Sequence, residues 1–286
     1  MTLLKILLLA VVQGGAELLP VSSSAHVIVA AKLMGLDPTT PEMTLLLVML
    51  HTGTMFAVIF YFWKSWRESF FGSGKLFRDA AGQIALATVL TGVVGIALKT
   101  AIERYAFGNA SHAEIELLFG NLGLVAGALA AVGFLIVYAG LKGIRSRGTT
   151  AIGARESSWI GAVQGFCLPF RGFSRSGATI STGLLLGIDR TKVEQFSFAL
   201  AVVLTPPVIA REVLRLLKSQ AATSAHGLNL VGLFFPSLLG MVFSCISGIL
   251  ALRWLSAWLE RGRWQFFGVY CLCASLVVFL LYRGGF

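Results

Sequence analysis

Two short stretches place hydroxyl and ionisable side chains inside otherwise apolar sequence. The first is Gln13-Gly14-Gly15-Ala16-Glu17-Leu18-Leu19-Pro20-Val21-Ser22-Ser23-Ser24-Ala25-His26. The second is Gln164-Gly165-Phe166-Cys167-Leu168-Pro169-Phe170-Arg171-Gly172-Phe173-Ser174-Arg175-Ser176-Gly177. Ser22, Ser23 and Ser24 follow Pro20 and precede an apolar run, the pattern of a helix N-terminus with capping hydroxyls. Ser174, Ser176 and Gly177 open a second helix in the same way. A helix N-terminus carries free N–H groups and positive potential, so two of them favour an anion, most naturally phosphate. Arg175 adds a planar fork that suits phosphoryl oxygens, and Arg171 adds a second cation. Ser23 and His26 are three apart, which on a helix sets them on one face. A serine beside a histidine is a candidate nucleophile and base. Glu17 is the only carboxylate in residues 2–36 or 157–188. It is either a working acid or a partner that ties the first segment to Arg175.

The sequence around these stretches is that of a membrane protein. Of 286 residues, 56% are hydrophobic and 13% charged, against roughly 25% charged in a soluble domain. Mean hydropathy is +0.82. A soluble globule and a disordered chain are both excluded. Apolar segments at about 44–66, 83–100, 118–141, 192–216, 229–254 and 264–283 are each near the ~20 residues that cross a bilayer. Phe62, Trp63 and Trp66, and Trp254 and Trp258, read as interfacial aromatics. Pro206-Pro207 is expected to kink the fourth span.

Residues 2–36 and 157–188 are apolar at both ends but broken by Gly, Pro and Ser in the middle. Their halves are too short to span, so each reads as a re-entrant helical hairpin lining a cavity. The apolar start runs into Gln13-Gly14-Gly15-Ala16-Glu17 and not into a small-residue cleavage site, so a cleavable leader is not expected. Shifting the sequence by 151 residues lays Val12-Gln13-Gly14 on Val163-Gln164-Gly165 and Ser23 on Ser174. Each hairpin is followed by three spans, which inverts the second half. The expected fold is an all-α polytopic membrane protein, a single domain over 1–286. About six transmembrane helices and two hairpins would form an inverted-topology repeat, 1–146 and 152–286, with its site where the broken helices meet.

The net charge is +10. Basic residues are scattered among apolar spans, which argues against nucleic acid and for the loop excess of an inner-membrane protein, or for an anionic substrate or lipid headgroup. In the predicted topology 13 of the 23 Lys and Arg fall on one side and 8 on the other, with Arg171 and Arg175 in the second motif. The richer side belongs in the cytoplasm, which puts both termini and residues 36–43 outside. Cys167, Cys245, Cys271 and Cys273 lack metal-ligand spacing and read as small apolar residues. His51 reads as a polar residue packed at a helix contact; His112 and His226 read as loop residues. Nothing in the sequence sets an oligomeric state.

The two motifs, at this separation, resemble the two signatures of the bacterial undecaprenyl-diphosphate phosphatase (bacitracin-resistance) family. The similarity in layout covers essentially the whole chain. The resemblance implies an integral membrane enzyme that removes the terminal phosphate of undecaprenyl diphosphate, giving undecaprenyl phosphate, the lipid carrier of cell-wall synthesis. It implies a site open to the outer, periplasmic face of the inner membrane and dependence on Mg2+ or Ca2+. Glu17, Ser23, His26, Ser174 and Arg175 match its functional positions, with Glu17 as acid or metal ligand. Ser22, Ser24, Ser176, Gly177 and Arg171 would complete the phosphate contacts. Three residues depart from the pattern: Gln13 stands where many members carry a glutamate, Ala16 where threonine is common, and Arg171 where proline is usual. The competing function is a transporter or flippase for an anionic lipid or small anion, since inverted repeats with broken helices are also a transporter architecture. A phosphatase built on Ser174-Arg175 and a downstream histidine is disfavoured, because the next histidine is His226.

Overall fold

The computed structural model describes residues 2–36, 40–106, 121–143, 151–170, 172–222 and 230–284. Among the described residues the order is two short helices followed by three long ones, twice. The first half holds α1 (Leu3–Leu18), α2 (Ser23–Leu33), α3 (Pro41–Ser69), α4 (Gly74–Ala106) and α5 (Leu122–Gly143). The second holds α6 (Ala154–Cys167), α7 (Arg175–Leu185), α8 (Arg190–Ala222), α9 (Leu230–Glu260) and α10 (Gln265–Arg283). At about 1.5 Å per residue, the 11 residues of α2 and of α7 reach about half of a ~30 Å hydrocarbon core. Among the described residues, six helices (α3, α4, α5, α8, α9, α10) are long and apolar enough to cross a membrane. Large apolar side chains such as Phe60, Ile96, Phe134 and Phe235 are well exposed, as befits a surface solvated by lipid.

The short helices end where the sequence says they must. Pro20 closes α1, and the chain turns through Ser22, which sits in the left-handed region at φ +67°. A non-glycine residue there is sparsely populated and is held only by its surroundings. After α6, Gly172 takes φ +101°, and a Cβ on it would lie 2.6 Å from the Val125 carbonyl oxygen of α5. Only glycine suits that corner.

Two compact units divide the chain, with boundaries inside α3, α8 and α9. The first comprises Met1–Leu18, Ser23–Lys64 and Ala201–Leu255. Its core includes Ile6, Leu9 and Ala10 of α1, Val27 and Ala31 of α2, and Met43, Leu46 and Leu50 of α3. The second comprises Leu19–Ser22, Ser65–Leu200 and Ser256–Phe286. In lipid, apolar burial gives helices little reason to associate, and close packing between small residues does the work instead. A Cβ on Gly268 of α10 would meet the Gly133 carbonyl oxygen of α5 at 2.6 Å, and one on Gly165 of α6 would meet the Thr91 carbonyl oxygen of α4 at 2.7 Å. Thr91 reinforces the second contact by donating to Gly161 O at 3.0 Å while accepting from Gln164 Nε2 at 3.0 Å.

Some sequence expectations need adjustment. Helix α4 begins at Gly74, not near 83, because its first turns carry Lys75, Arg78 and Asp79 and extend beyond the apolar window. Pro206 and Pro207 both fall inside α8, which begins at Arg190 and ends at Ala222. Phe62 and Trp66 are buried, and of that cluster only Trp63 is exposed; the Trp66 indole N–H finds an internal acceptor, Gln195 O, at 3.3 Å.

Candidate active site

Glu17 lies in the last turn of α1. The turn at Leu19–Ser22 brings the first residue of α2 back to it, and the Ser23 hydroxyl donates to Glu17 Oε2. Gln13, one helical turn earlier, is buried at 1% exposure and donates its Nε2 to the same oxygen at 3.2 Å. Gln13 Nε2 also lies 2.7 Å from Nδ1 of His51 in α3. Glu17, Ser23, His26 and His51 are each half-buried, while Gln13 is fully enclosed. His26 follows Ser23 on α2 at the spacing that shares a helix face.

The second motif is built around the start of α7. Ser174 is its N-cap and accepts from Gly177 N–H at 3.2 Å. Arg175 is the first helical residue and is half-buried. Its guanidinium donates to Ser197 O of α8 at 3.2 Å and lies over the Phe198 ring at 6.0 Å. The Thr179 hydroxyl donates to Arg175 O at 2.9 Å and shares a 2.6 Å hydrogen bond with the Ser197 hydroxyl. Ser174 and Ser176 are both buried. The tip of the first motif belongs to this unit as well: Ser176 Oγ reaches Leu19 O at 3.4 Å, and the Cys271 thiol donates to Pro20 O at 3.2 Å.

Several sequence readings take specific form here. The capping expected of the serines is realised at Ser174. Ser23 spends its hydroxyl on Glu17, and Ser22 supplies the buried, left-handed corner before α2. Gly177 offers its amide to the cap, and its bare Cα faces Ile136 Cδ1, which a Cβ would meet at 2.7 Å. Arg171 and the side chain of Ser24 lie outside the described residues, as do His112 and His226. His51 is the residue whose connection to the motif was not read from sequence. Its only sequence signal is a histidine in an apolar span, Leu50-His51-Thr52-Gly53. Among the described residues no group of three or more His, Cys, Asp or Glu could hold a metal ion.

Comparison with known proteins supplies the family. The family of the bacitracin resistance protein BacA matches residues 6–277. The chain belongs to that family. Undecaprenyl-diphosphatase 2 of Acinetobacter baylyi is 59% identical over 283 residues, covering 98% of both chains. Undecaprenyl-diphosphatase of Thermodesulfovibrio yellowstonii is 30% identical over 283 residues, 98% of this chain and 97% of its own. Undecaprenyl-diphosphatase 2 of Burkholderia orbicola is 33% identical over 293 residues, 96% of this chain and 95% of its own. Each of these relatives is matched over at least 95% of both chains.

Proposed function

We propose that the protein hydrolyses undecaprenyl diphosphate to undecaprenyl phosphate and inorganic phosphate, and that the hydrogen bond from Ser23 to Glu17 is the observation on which the chemistry turns. A base must reach the proton it removes, and Glu17 is already bonded to it. Glu17 takes the proton of Ser23 Oγ as that oxygen bonds to the terminal phosphorus. The bond from phosphorus to the bridging oxygen breaks, and His26 protonates that oxygen as the lipid monophosphate departs. Water then gives a proton to His26 and attacks the phosphoserine. Phosphate leaves, and Glu17 returns its proton to Ser23. Arg175 and the N-terminus of α7 stabilise charge on the transferring phosphoryl oxygens, with Ser174 and Ser176 shaping that end.

A divalent cation, Mg2+ or Ca2+, fits this donor set only in a particular way. Glu17 is the one carboxylate of the motif, and Gln13 turns its N–H, not its oxygen, toward it. Mg2+ is commonly held by one or two carboxylates together with substrate phosphates. Glu17 would hold a cation that is carried mainly by the diphosphate, where it neutralises charge.

The two halves form an inverted repeat in this reading. Moved back by 151 residues, α6 falls on α1 and α7 on α2 to within two residues at each end. Gly14 of α1 packs against the Ser244 carbonyl of α9 much as Gly165 of α6 packs against the Thr91 carbonyl of α4. The short helices are then re-entrant hairpins. The excess of Lys and Arg on one predicted side supports an inner-membrane protein whose site opens to the periplasm. Transport of an anion would use Arg175 and the helix N-terminus but has no need of a hydroxyl bonded to a carboxylate. Conversion of undecaprenyl diphosphate to its monophosphate by the purified protein tests the reading, and movement of the intact lipid between leaflets without conversion would overturn it.

A further inference from the structure

Gln13 Nε2 has no lone pair to give, so the His51 nitrogen 2.7 Å away must accept. An amide turned the other way would set its oxygen 3.2 Å from an oxygen of Glu17, acceptor against acceptor. The two contacts together therefore fix both groups: Gln13 donates one amide hydrogen to Glu17 and the other to His51 Nδ1, and the imidazole carries its proton on Nε2. We propose that His51 is a positioning residue for Glu17, acting through Gln13 to hold the carboxylate toward the Ser23 hydroxyl.

The backbone around His51 is built to keep that geometry. Gly53, two residues on, lies so close to α9 that a Cβ would overlap the Met241 carbonyl oxygen. Gly14, next to Gln13, packs on the same helix, where a Cβ would lie 2.5 Å from Ser244 O. The Ser244 hydroxyl donates to Leu50 O at 3.0 Å, and the Ser247 hydroxyl donates to Val11 O at 3.0 Å. Helices α1 and α3 are thus both pinned to one short stretch of α9, and Gln13 and His51 meet beside the pins. The Thr54 hydroxyl donates to His51 O at 2.9 Å, fastening the same turn. Tautomer and ring orientation of a histidine are set by the hydrogen bond its nitrogens make, and here that bond leads to the acid that touches the nucleophile.

The inference rests on the proposed role of Glu17, and its test separates the two. The purified protein in detergent is compared with His51→Asn, His51→Leu, Gln13→Leu and the double variant Gln13→Leu/His51→Leu. Asparagine carries its oxygen on Cγ, where histidine carries Nδ1, and can accept from Gln13; leucine cannot. His51→Leu is expected to lower kcat by about 10- to 100-fold, as loss of an orienting partner does, with KM little changed. His51→Asn is expected to recover most of that loss. The double variant is expected to lose no more than Gln13→Leu alone, because His51 acts only through Gln13. Independently of activity, 15N-histidine spectra should show a resonance that disappears in His51→Asn, reports an unprotonated Nδ1, and shifts in Gln13→Leu. A protonated Nδ1, equal rates in wild type and His51→Leu, or an asparagine variant as impaired as the leucine one would each overturn the proposal. An inactive wild type with the expected His51 resonance would instead count against the reaction.

Discussion

Ser23 donates its hydroxyl to Glu17, six residues earlier, across the turn that ends α1. The pair exists because Pro20 stops one helix and the left-handed Ser22 starts the next. Glu17→Gln keeps the shape of the side chain but removes the proton acceptor. It is expected to slow phosphate release by about 10²- to 10⁴-fold, the usual worth of general acid–base catalysis. Ser23→Ala should fall at least as far, and rapid quenching with radiolabelled substrate should leave label on Ser23 in the wild type. A Ser23→Ala rate within about tenfold of wild type would transfer the attack to a water activated by His26.

Arg175 is held by Ser197 O and the Phe198 face, so the fold itself orients the fork that is proposed to meet the phosphate. Arg175→Ala is expected to cut kcat by about 10²- to 10³-fold, in line with loss of one charge-stabilising donor. Arg175→Lys should remain poor, because an ammonium supplies no planar pair of donors. Steady-state phosphate release at saturating lipid distinguishes the variants.

The corner before α7 offers a backbone test. Gly172→Ala places a Cβ on a residue at φ +101°, against the Val125 carbonyl. The expected cost is about 1–3 kcal/mol, read as a lower midpoint of thermal unfolding in detergent, with loss of activity from a displaced α7 N-terminus. Gly127→Ala, in α5 with open space around the new methyl, should leave both stability and rate unchanged.

Much of this arrangement could be read from the chain, and the exceptions have physical causes. Helix lengths follow from apolar runs and from Pro20 and Pro169, and the Ser174 cap follows from a serine before a helix start, because both are local. The Ser23–Glu17 bond depends on how a four-residue turn closes, and helical spacing points Ser23 toward His26 instead. The Gln13–His51 contact joins residues 38 apart and exists only because glycines bring α1 and α3 against α9. Trp66 reads as an interfacial aromatic until the fold supplies Gln195 O as a partner.

The single carboxylate of the motif bears on the cation. With Glu17 as the one acidic donor, binding of Mg2+ or Ca2+ to the protein without lipid is expected to be weak by calorimetry, while turnover still needs the ion. Gln13→Glu should raise the apparent affinity for the ion, although its new charge also faces His51. Full activity in EDTA would remove the cation and leave Glu17 as the base alone.

The most direct measurement is release of inorganic phosphate from undecaprenyl diphosphate by the purified wild-type protein in detergent, alongside Glu17→Gln prepared identically. Hydrolysis carried out by the Glu17–Ser23 pair requires stoichiometric formation of phosphate and undecaprenyl phosphate by the wild type and a rate at least about 10²-fold lower for the variant. No phosphate above background from folded wild-type protein, or equal release from both proteins, would contradict it.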